Sequence, residues 1–310
     1  MSVTVAYLGP RGTFTEAALW GFARRGDFGT DEVIPLDCSS PREAIDAVRA
    51  GRADFACVAI ENSVDGPVTP TFDALATAPG VQIYKELDLP IAFAVMVRPG
   101  TSLVDGLTVS THPVAYQQVK GWLGENLGAH EFVAASSNAA AAQIVAAGGA
   151  DVAVAPARAA ELFGLSIVQD GVADVVGART RFVVVGRSGV PTARTGADRT
   201  GVVFVVHNVP GALVDALTEF ALRGVDLSRI ESRPIEGGLG TYRFHVDING
   251  HIDDAPVVEA LRALYLRCAE IQFLGSWPAE VPRDDERLAR DTARLAEATA
   301  WVRALKEGTR

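Results

Sequence analysis

Cysteine is scarce in this sequence: Cys38, Cys57 and Cys268 are the three in 310 residues. They form no Cys-x-x-Cys pair and stand at no metal-ligand spacing from the five histidines. That argues against a disulfide framework or a zinc module and suits small buried side chains in a reducing compartment. Long apolar runs are missing too, since none approaches the ~20 residues that cross a bilayer. Positive charge is in deficit, with 28 Lys and Arg against 38 Asp and Glu and a formal net charge of -10. Such a chain repels nucleic acid and anionic membrane, so neither is an expected partner. It repels an anionic small molecule as well, so any acid it binds must meet a local cluster of Arg, Lys or backbone N–H groups. The first ten residues already read as a strand and a turn, without the basic and apolar segments of a secretory leader. A cytoplasmic protein is expected.

What remains is an ordinary globular composition, 48% hydrophobic and 21% charged. At ~100–200 residues per domain the length implies two or three domains. Short apolar runs at 3–8, 33–36 and 55–60 read as strands, alternating with helices that begin after Thr13 and at Ser40-Pro41. Thr13 and Glu16 form the two halves of a capping box. Alternation of this kind indicates a parallel sheet covered by helices. Further strands are expected at 82–87, 91–97, 107–110, 132–134, 151–155 and 183–185, with helices opened by His112-Pro113 and Asn138. The pattern is read as two α/β lobes: lobe 1 over about 1–77 and 177–188, lobe 2 over about 78–176. Two lobes joined by crossing segments resemble type II periplasmic binding proteins, an analogy of architecture that names no function.

Residues 188–199 are rich in Gly, Pro, Thr and Arg without apolar period and read as a linker. The pattern then restarts as βαββαβ over 200–277, the ferredoxin-like unit. A charged, Ala-rich helix is expected over 284–307, with Leu288, Leu295, Ala298 and Val302 on a narrow stripe suited to a neighbouring surface.

Four short motifs stand out. Gly9-Pro10-Arg11-Gly12-Thr13-Phe14 places glycines at a strand-to-helix turn, either a plain turn or an anion site at a helix N-terminus. It lacks the third glycine of a dinucleotide fingerprint. Glu61-Asn62-Ser63-Val64-Asp65-Gly66 follows a buried strand at its carboxyl end, where α/β sheets place ligands and where ordinary turns also occur. Thr111-His112-Pro113 with Gln117-Gln118 opens a helix; Thr111 and Gln118 are candidate donors into a cleft, or a cap and an exposed amide. Arg179-Thr180-Arg181-Phe182 sets two guanidiniums around a hydroxyl, and guanidinium forks suit carboxylates.

In this order and spacing the four motifs resemble the prephenate dehydratase family, over about residues 3–186. The following unit resembles an ACT domain, with Gly211-Ala212-Leu213 and Glu231-Ser232-Arg233-Pro234 at the segments that bind phenylalanine in these enzymes. The resemblance implies a catalytic domain at 1–188, a regulatory domain at 200–277, and conversion of prephenate to phenylpyruvate under inhibition by L-phenylalanine. It assigns the donor to the leaving hydroxyl to Thr180. Arg181 would hold a carboxylate or orient Thr180, and Glu61 would orient Asn62 or be structural. Thr13, Asn62, Thr111 and Gln118 would contact substrate. A homo-oligomer, dimer or tetramer, is implied. Aromatisation drives the reaction, so no metal or organic cofactor is expected. Two positions depart from the family: Ala178 stands where many members carry Asn, and Ala135 where many carry Glu. An arogenate dehydratase, or a two-lobed sensor without catalysis, is the alternative; the Thr180-Arg181 pair separates an enzyme from a binder.

Overall fold

A computed structural model describes residues 2–175, 177–235, 241–280 and 285–308, with backbone alone for 285–292 and 295. Lobe 1 contains β1 (Val3–Leu8), α1 (Phe14–Arg24), β2 (Val33–Cys38), α2 (Pro41–Arg49), β3 (Phe55–Asn62), β4 (Gly66–Pro67), α3 (Thr69–Thr77) and β5 (Val81–Pro90). Lobe 2 contains β6 (Ala94–Val97), β7 (Thr108–Thr111), α4 (Pro113–Asn126), β8 (Glu131–Ala134), α5 (Asn138–Ala146), β9 (Val152–Ala155), α6 (Ala157–Phe163) and β10 (Ser166–Asp170). The chain then returns to lobe 1 as β11 (Arg179–Arg187).

The lobe 1 sheet runs β2-β1-β3-β11-β5, and the lobe 2 sheet runs β10-β6-β9-β7-β8. The β1 pairings are parallel, as the βα alternation requires, while β11 runs antiparallel between β3 and β5. This corrects the expected lobe boundary. β5 pairs with β11 from Arg179↔Pro90 to Arg187↔Val81, so the chain leaves lobe 1 after Pro90 and not near Thr77. The segments expected at 82–87 and 91–97 look like one hairpin in sequence, yet they belong to different sheets.

Local chemistry explains the helix starts. Thr13 Oγ1 accepts from Glu16 N at 3.2 Å, and Glu16 Oε2 accepts from Gly12 N at 2.6 Å. The capping box is therefore present, its return bond displaced by one residue. Ser40 and Ser137 cap α2 and α5 in the same way, through Glu43 N and Ala140 N.

The third unit contains β12 (Asp198–Val206), α7 (Ala212–Ala221), β13 (Leu227–Pro234), β14 (Tyr242–Asn249), α8 (Ala255–Arg267) and β15 (Cys268–Pro278). Its antiparallel sheet runs β13-β14-β12-β15, the ferredoxin-like order. The turn expected at 236–240 lies outside the described residues. The helices cover one face, where Val202, Phe204, Val246 and Ile248 pack with Phe220 and Leu264. The other face lies on lobe 1: Val203, Leu274 and Trp277 share a core with Ile45, Phe72, Leu75, Ile83 and Val183. The approach is close at Gly275, whose φ of +129° an L-residue rarely adopts and where a Cβ would lie 2.3 Å from Ile83 O.

The linker is more fixed than its composition implies. Thr192 Oγ1 donates to Ser276 O at 3.0 Å, Arg194 pairs with Asp254 at 2.6 Å, and Asp198 Oδ2 accepts from Thr195 N and Gly196 N. Polar bonds do what an apolar core would otherwise do. The final helix, α9 (Asp285–Glu307), leaves Trp301, Val302 and Leu305 exposed, and Ala298 is exposed as well. Of its expected stripe, the side chains of Leu288 and Leu295 lie outside the described residues.

Candidate active site

The site is built on one strand pair. In the antiparallel β3–β11 register Thr180 lies opposite Asn62, and Arg181 opposite Glu61. Side chains alternate faces along a strand, so these two pairs point to opposite sides of the sheet. Thr180, 6% exposed, accepts a hydrogen bond from Asn62 Nδ2 at 3.0 Å. Because the hydroxyl is the acceptor there, its own hydrogen is left for another group. Asn62 Oδ1 in turn accepts from Val64 N at 2.8 Å and Asp65 N at 3.2 Å. This Asx turn folds the loop back and sets the Asp65 carboxylate, from lobe 1, against Gln118 Nε2 on α4 of lobe 2. Gln118 is 4% exposed. The structure thus brings together Thr180, Asn62 and Gln118, and adds Asp65.

Asp65 was missed by sequence reasoning although it lies inside a motif already singled out. Only the loop conformation reveals it. His112 stands close enough for the Asp65 charge to act on its imidazole, but burial is the larger influence and pushes His112 below its usual range.

The other expected contacts are placed differently. Thr111 Oγ1 is fully buried and donates to Val154 O at 2.7 Å, with Asn138 Oδ1 at 3.2 Å, so its single hydrogen is engaged inside lobe 2 and is not free for a ligand. Thr13 Oγ1 donates to Leu8 O at 3.2 Å and accepts from Glu16 N, which makes it a helix cap. Ala178 and Ala135 are buried and carry no polar side-chain group.

Of the two roles expected of Arg181, the geometry argues against the first, holding a substrate carboxylate. Its guanidinium does not share the Thr180 face. It faces the ferredoxin-like unit, where NH2 donates to Glu61 Oε2 and Asp247 Oδ2, both at 2.8 Å, and NH1 lies 3.6 Å from Glu86. Burial opposes the charge, but the Asp247, Glu86 and Glu61 carboxylates outweigh it and hold Arg181 more firmly protonated than usual. A cation already paired with three carboxylates is poorly suited to hold a substrate carboxylate. Glu61 belongs to the same cluster, on the face away from Asn62. Beside it lies a cavity of about 270 Å³ at the boundary of lobe 1 and the third unit, lined by Glu61, Glu86, Asp88, Arg179, Arg181 and Arg199 among others. Among the described residues, no group of three or more His, Cys, Asp or Glu is placed to hold a metal, and no helix is long and apolar enough to cross a membrane.

At the segment assigned to phenylalanine, Gly211 takes a left-handed φ of 84° as N-cap of α7, and Ala212 and Leu213 form the first turn. Glu231, Ser232, Arg233 and Pro234 lie on β13, at an edge of the third sheet. Ser232 shares the α7 face with Phe244, whereas Glu231 faces lobe 1 beside His245 and Arg233 reaches Asp73 of α3 at 3.4 Å.

Two α/β lobes, a buried hydroxyl–amide pair on lobe 1 strands that Gln118 of lobe 2 approaches through Asp65, and a ferredoxin-like unit behind them define the class: a two-lobed small-molecule protein with an appended domain. Residues 5–190 match the family model described as prephenate dehydratase, and residues 200–264 match the ACT domain. The chain belongs to the prephenate dehydratase family. It is 59% identical over 304 residues to a prephenate dehydratase of Corynebacterium glutamicum, covering 98% of this chain and 96% of that one. The crystal structure of an Arthrobacter aurescens prephenate dehydratase in complex with L-Phe is 41% identical, with a TM-score of 0.87 and coverage of 98% and 100%. A Staphylococcus aureus prephenate dehydratase is 26% identical with a TM-score of 0.70, covering 88% of this chain and 99% of that one.

Proposed function

We propose that the chain converts prephenate to phenylpyruvate. The electron pair of the breaking bond to the ring carboxylate moves into the ring, carbon dioxide departs, and the ring hydroxyl leaves as water after gaining one proton. A hydroxyl is a poor leaving group unless a donor meets it, and Thr180 is assigned that donation. The observation that carries this reading is the Asn62–Thr180 hydrogen bond, which occupies the Thr180 acceptor side and leaves its O–H to donate. A threonine is a weak acid, so its part is that of a positioned donor, worth ~10²–10⁴-fold as general-acid groups typically are. Gln118 completes the site from lobe 2. The same reading places the enzyme in the cytoplasm.

L-phenylalanine is the proposed effector, bound at Gly211–Leu213 and β13. The free N–H groups of a helix N-terminus suit its carboxylate. The L-Phe in the Arthrobacter aurescens structure supports this choice. A homo-oligomer with facing ACT units is proposed with it, since β13 is an edge strand and its own exposed Ile230 invites pairing. Purified protein given prephenate and, separately, arogenate tests the central reading. Phenylpyruvate absorbance should develop with prephenate. Absence of product from prephenate, or faster turnover of arogenate, would overturn it.

A further inference from the structure

Two buried carboxylates cross the boundary between lobe 1 and the ACT unit in opposite directions. Glu86 of β5 reaches the ACT side, accepting from Arg199 at 2.6 Å, Trp277 Nε1 at 2.8 Å and Glu280 N at 2.8 Å. Asp247 of β14 reaches the lobe side. Arg229 grips it with Nε at 2.9 Å and NH2 at 2.8 Å, and Arg181 NH2 adds a third bond at 2.8 Å. Glu86 is 2% exposed and Asp247 1%. Carboxylates this deeply buried persist as ions only when their partners stay in place. The Arg181 side chain is therefore fixed from the ACT unit, although its backbone belongs to the dehydratase lobe.

Arg181 directly follows Thr180 in the chain. The β11–β3 register shifts between Arg181 and Phe182, an irregularity of the β-bulge kind that interrupts regular ladder bonding. Where ladder bonds are interrupted, a side-chain anchor has more influence on the backbone beside it. Glu61, the other carboxylate on Arg181 NH2, is likewise the immediate neighbour of Asn62. One charged cluster thus grips, from behind, both strands that present the Thr180–Asn62 pair in front.

We propose that Asp247 is a positioning residue for the dehydratase reaction: by holding Arg181 on the ACT side of β11, it fixes the Thr180 hydroxyl on the opposite side. This rests on the donor role of Thr180 proposed above. Arg229 lies on β13 two residues before Glu231, so the same cluster joins the segment assigned to the effector to the strand that carries Thr180.

The test uses the full-length chain, assayed well below each variant's melting temperature. Asp247→Asn keeps the shape and removes the charge. It should lower kcat about tenfold while KM changes by less than about twofold, since small misplacements of a catalytic group cost rate rather than binding. Arg229→Lys keeps the charge but loses the paired bonds, and should lower kcat about threefold. In a Thr180→Ala background neither change should lower kcat further, because residues acting as one unit are not additive. A general loosening of the protein would lower kcat by the same factor in both backgrounds, and that result overturns the proposal. So does an unchanged kcat in soluble Asp247→Asn. Should Asp247→Asn fail to fold, the Arg229→Lys comparison across the two backgrounds decides alone. A normal kcat in Thr180→Ala itself would sink the Thr180 assignment, and the positioning role with it, and is distinguished by that single variant.

Discussion

Asn62 donates its side-chain amide to Thr180 Oγ1 at 3.0 Å, so the threonine keeps its hydrogen for something else. The direction of this bond matters more than its existence. Thr180→Val, which keeps shape and loses the hydroxyl, should lower kcat by ~10²–10⁴-fold with little change in KM. Steady-state kinetics with prephenate check this, and a valine enzyme of near-normal kcat would remove the hydroxyl from the mechanism.

Asn62→Asp makes a finer distinction. A carboxylate at that position accepts the Thr180 hydrogen and points it away from the substrate, whereas Asn62→Ala merely leaves the hydroxyl unpaired. The aspartate variant should therefore be slower than the alanine variant by roughly tenfold, about the worth of one hydrogen bond to a charged group. The reverse order would mean that Asn62 serves as a donor to substrate and not as an orienter of Thr180.

Gly275 permits a close approach of the ACT sheet to lobe 1. Its φ of +129° and the 2.3 Å from a hypothetical Cβ to Ile83 O leave no room for a side chain. Gly275→Ala must either strain the backbone or part the two sheets, and should cost on the order of 3 kcal/mol. Urea denaturation would register this as a lower midpoint. An alanine variant as stable as the parent would show that the two sheets are free to separate.

His245 is buried against Phe72, with ring centroids 5.1 Å apart, and burial pushes its imidazole down to about 3, with Arg229 and Arg243 adding to the effect. The ordinary value is about 6.5. Between those values the unfolded chain takes up a proton that the folded chain refuses, so stability must fall as pH falls through that window, by at most about 1.4 kcal/mol per unit. Asp247 stays ionised above about pH 5: burial alone would raise its carboxyl, but Arg229 and Arg181 hold it well below the usual range. His245→Phe removes the imidazole and should flatten the stability profile between about pH 7 and about pH 5, by roughly 2 kcal/mol over that interval. Denaturation midpoints of both proteins across the interval measure the difference, and parallel profiles would count against it.

Much of this architecture was legible because its causes are local. Pro41 after Ser40, Thr13 three residues before Glu16, and the apolar runs of β1 and β3 specify elements without help from the rest of the chain. The lobe boundary was not legible, because whether β5 pairs with β6 or with β11 depends on a partner about 90 residues away. The β14 sequence Arg243-Phe244-His245-Val246-Asp247-Ile248 shows the limit most clearly. Its alternation says which residues share a face, and the polar set reads as solvated. In the structure that face lies against lobe 1, where His245 and Asp247 are each 1% exposed. Period-two patterning cannot say what covers a face, so the cluster that captures Arg181 is hidden in the sequence, which leaves Arg181 open both to holding a substrate carboxylate and to orienting Thr180. Asn62, Gln118 and Thr180 are singled out because a family resemblance marks them, and Asp65 is not, because nothing local foretells the Asx turn that aims it.

The ACT unit's place in the fold also changes how its regulatory role should be tested. Removing residues after 189 deletes Val203, Leu274 and Trp277 from the core they share with Ile83, Phe72 and Leu75, and strips Glu86 and Arg181 of their cross-domain partners. The truncated lobes would therefore expose an apolar face on which Arg181 keeps only Glu61 and Glu86, and should be unstable or inactive whether or not phenylalanine acts at the ACT unit. A single change at the effector segment avoids that ambiguity. Gly211 has a left-handed φ of 84°, and a Cβ built there meets nothing within 4 Å, so the obstacle to a side chain is conformational and not a clash with the core. Gly211→Trp should displace the start of α7 and fill the space before it while leaving the interface with lobe 1 intact. Its kcat and KM for prephenate should stay within about twofold of the parent, and its inhibition by L-phenylalanine should weaken by at least about tenfold, a coupling change of about 1.4 kcal/mol. If the variant were inhibited at the parent's concentration, the amino acid would be acting at the Thr180 cleft, and regulation through the ACT unit would fall.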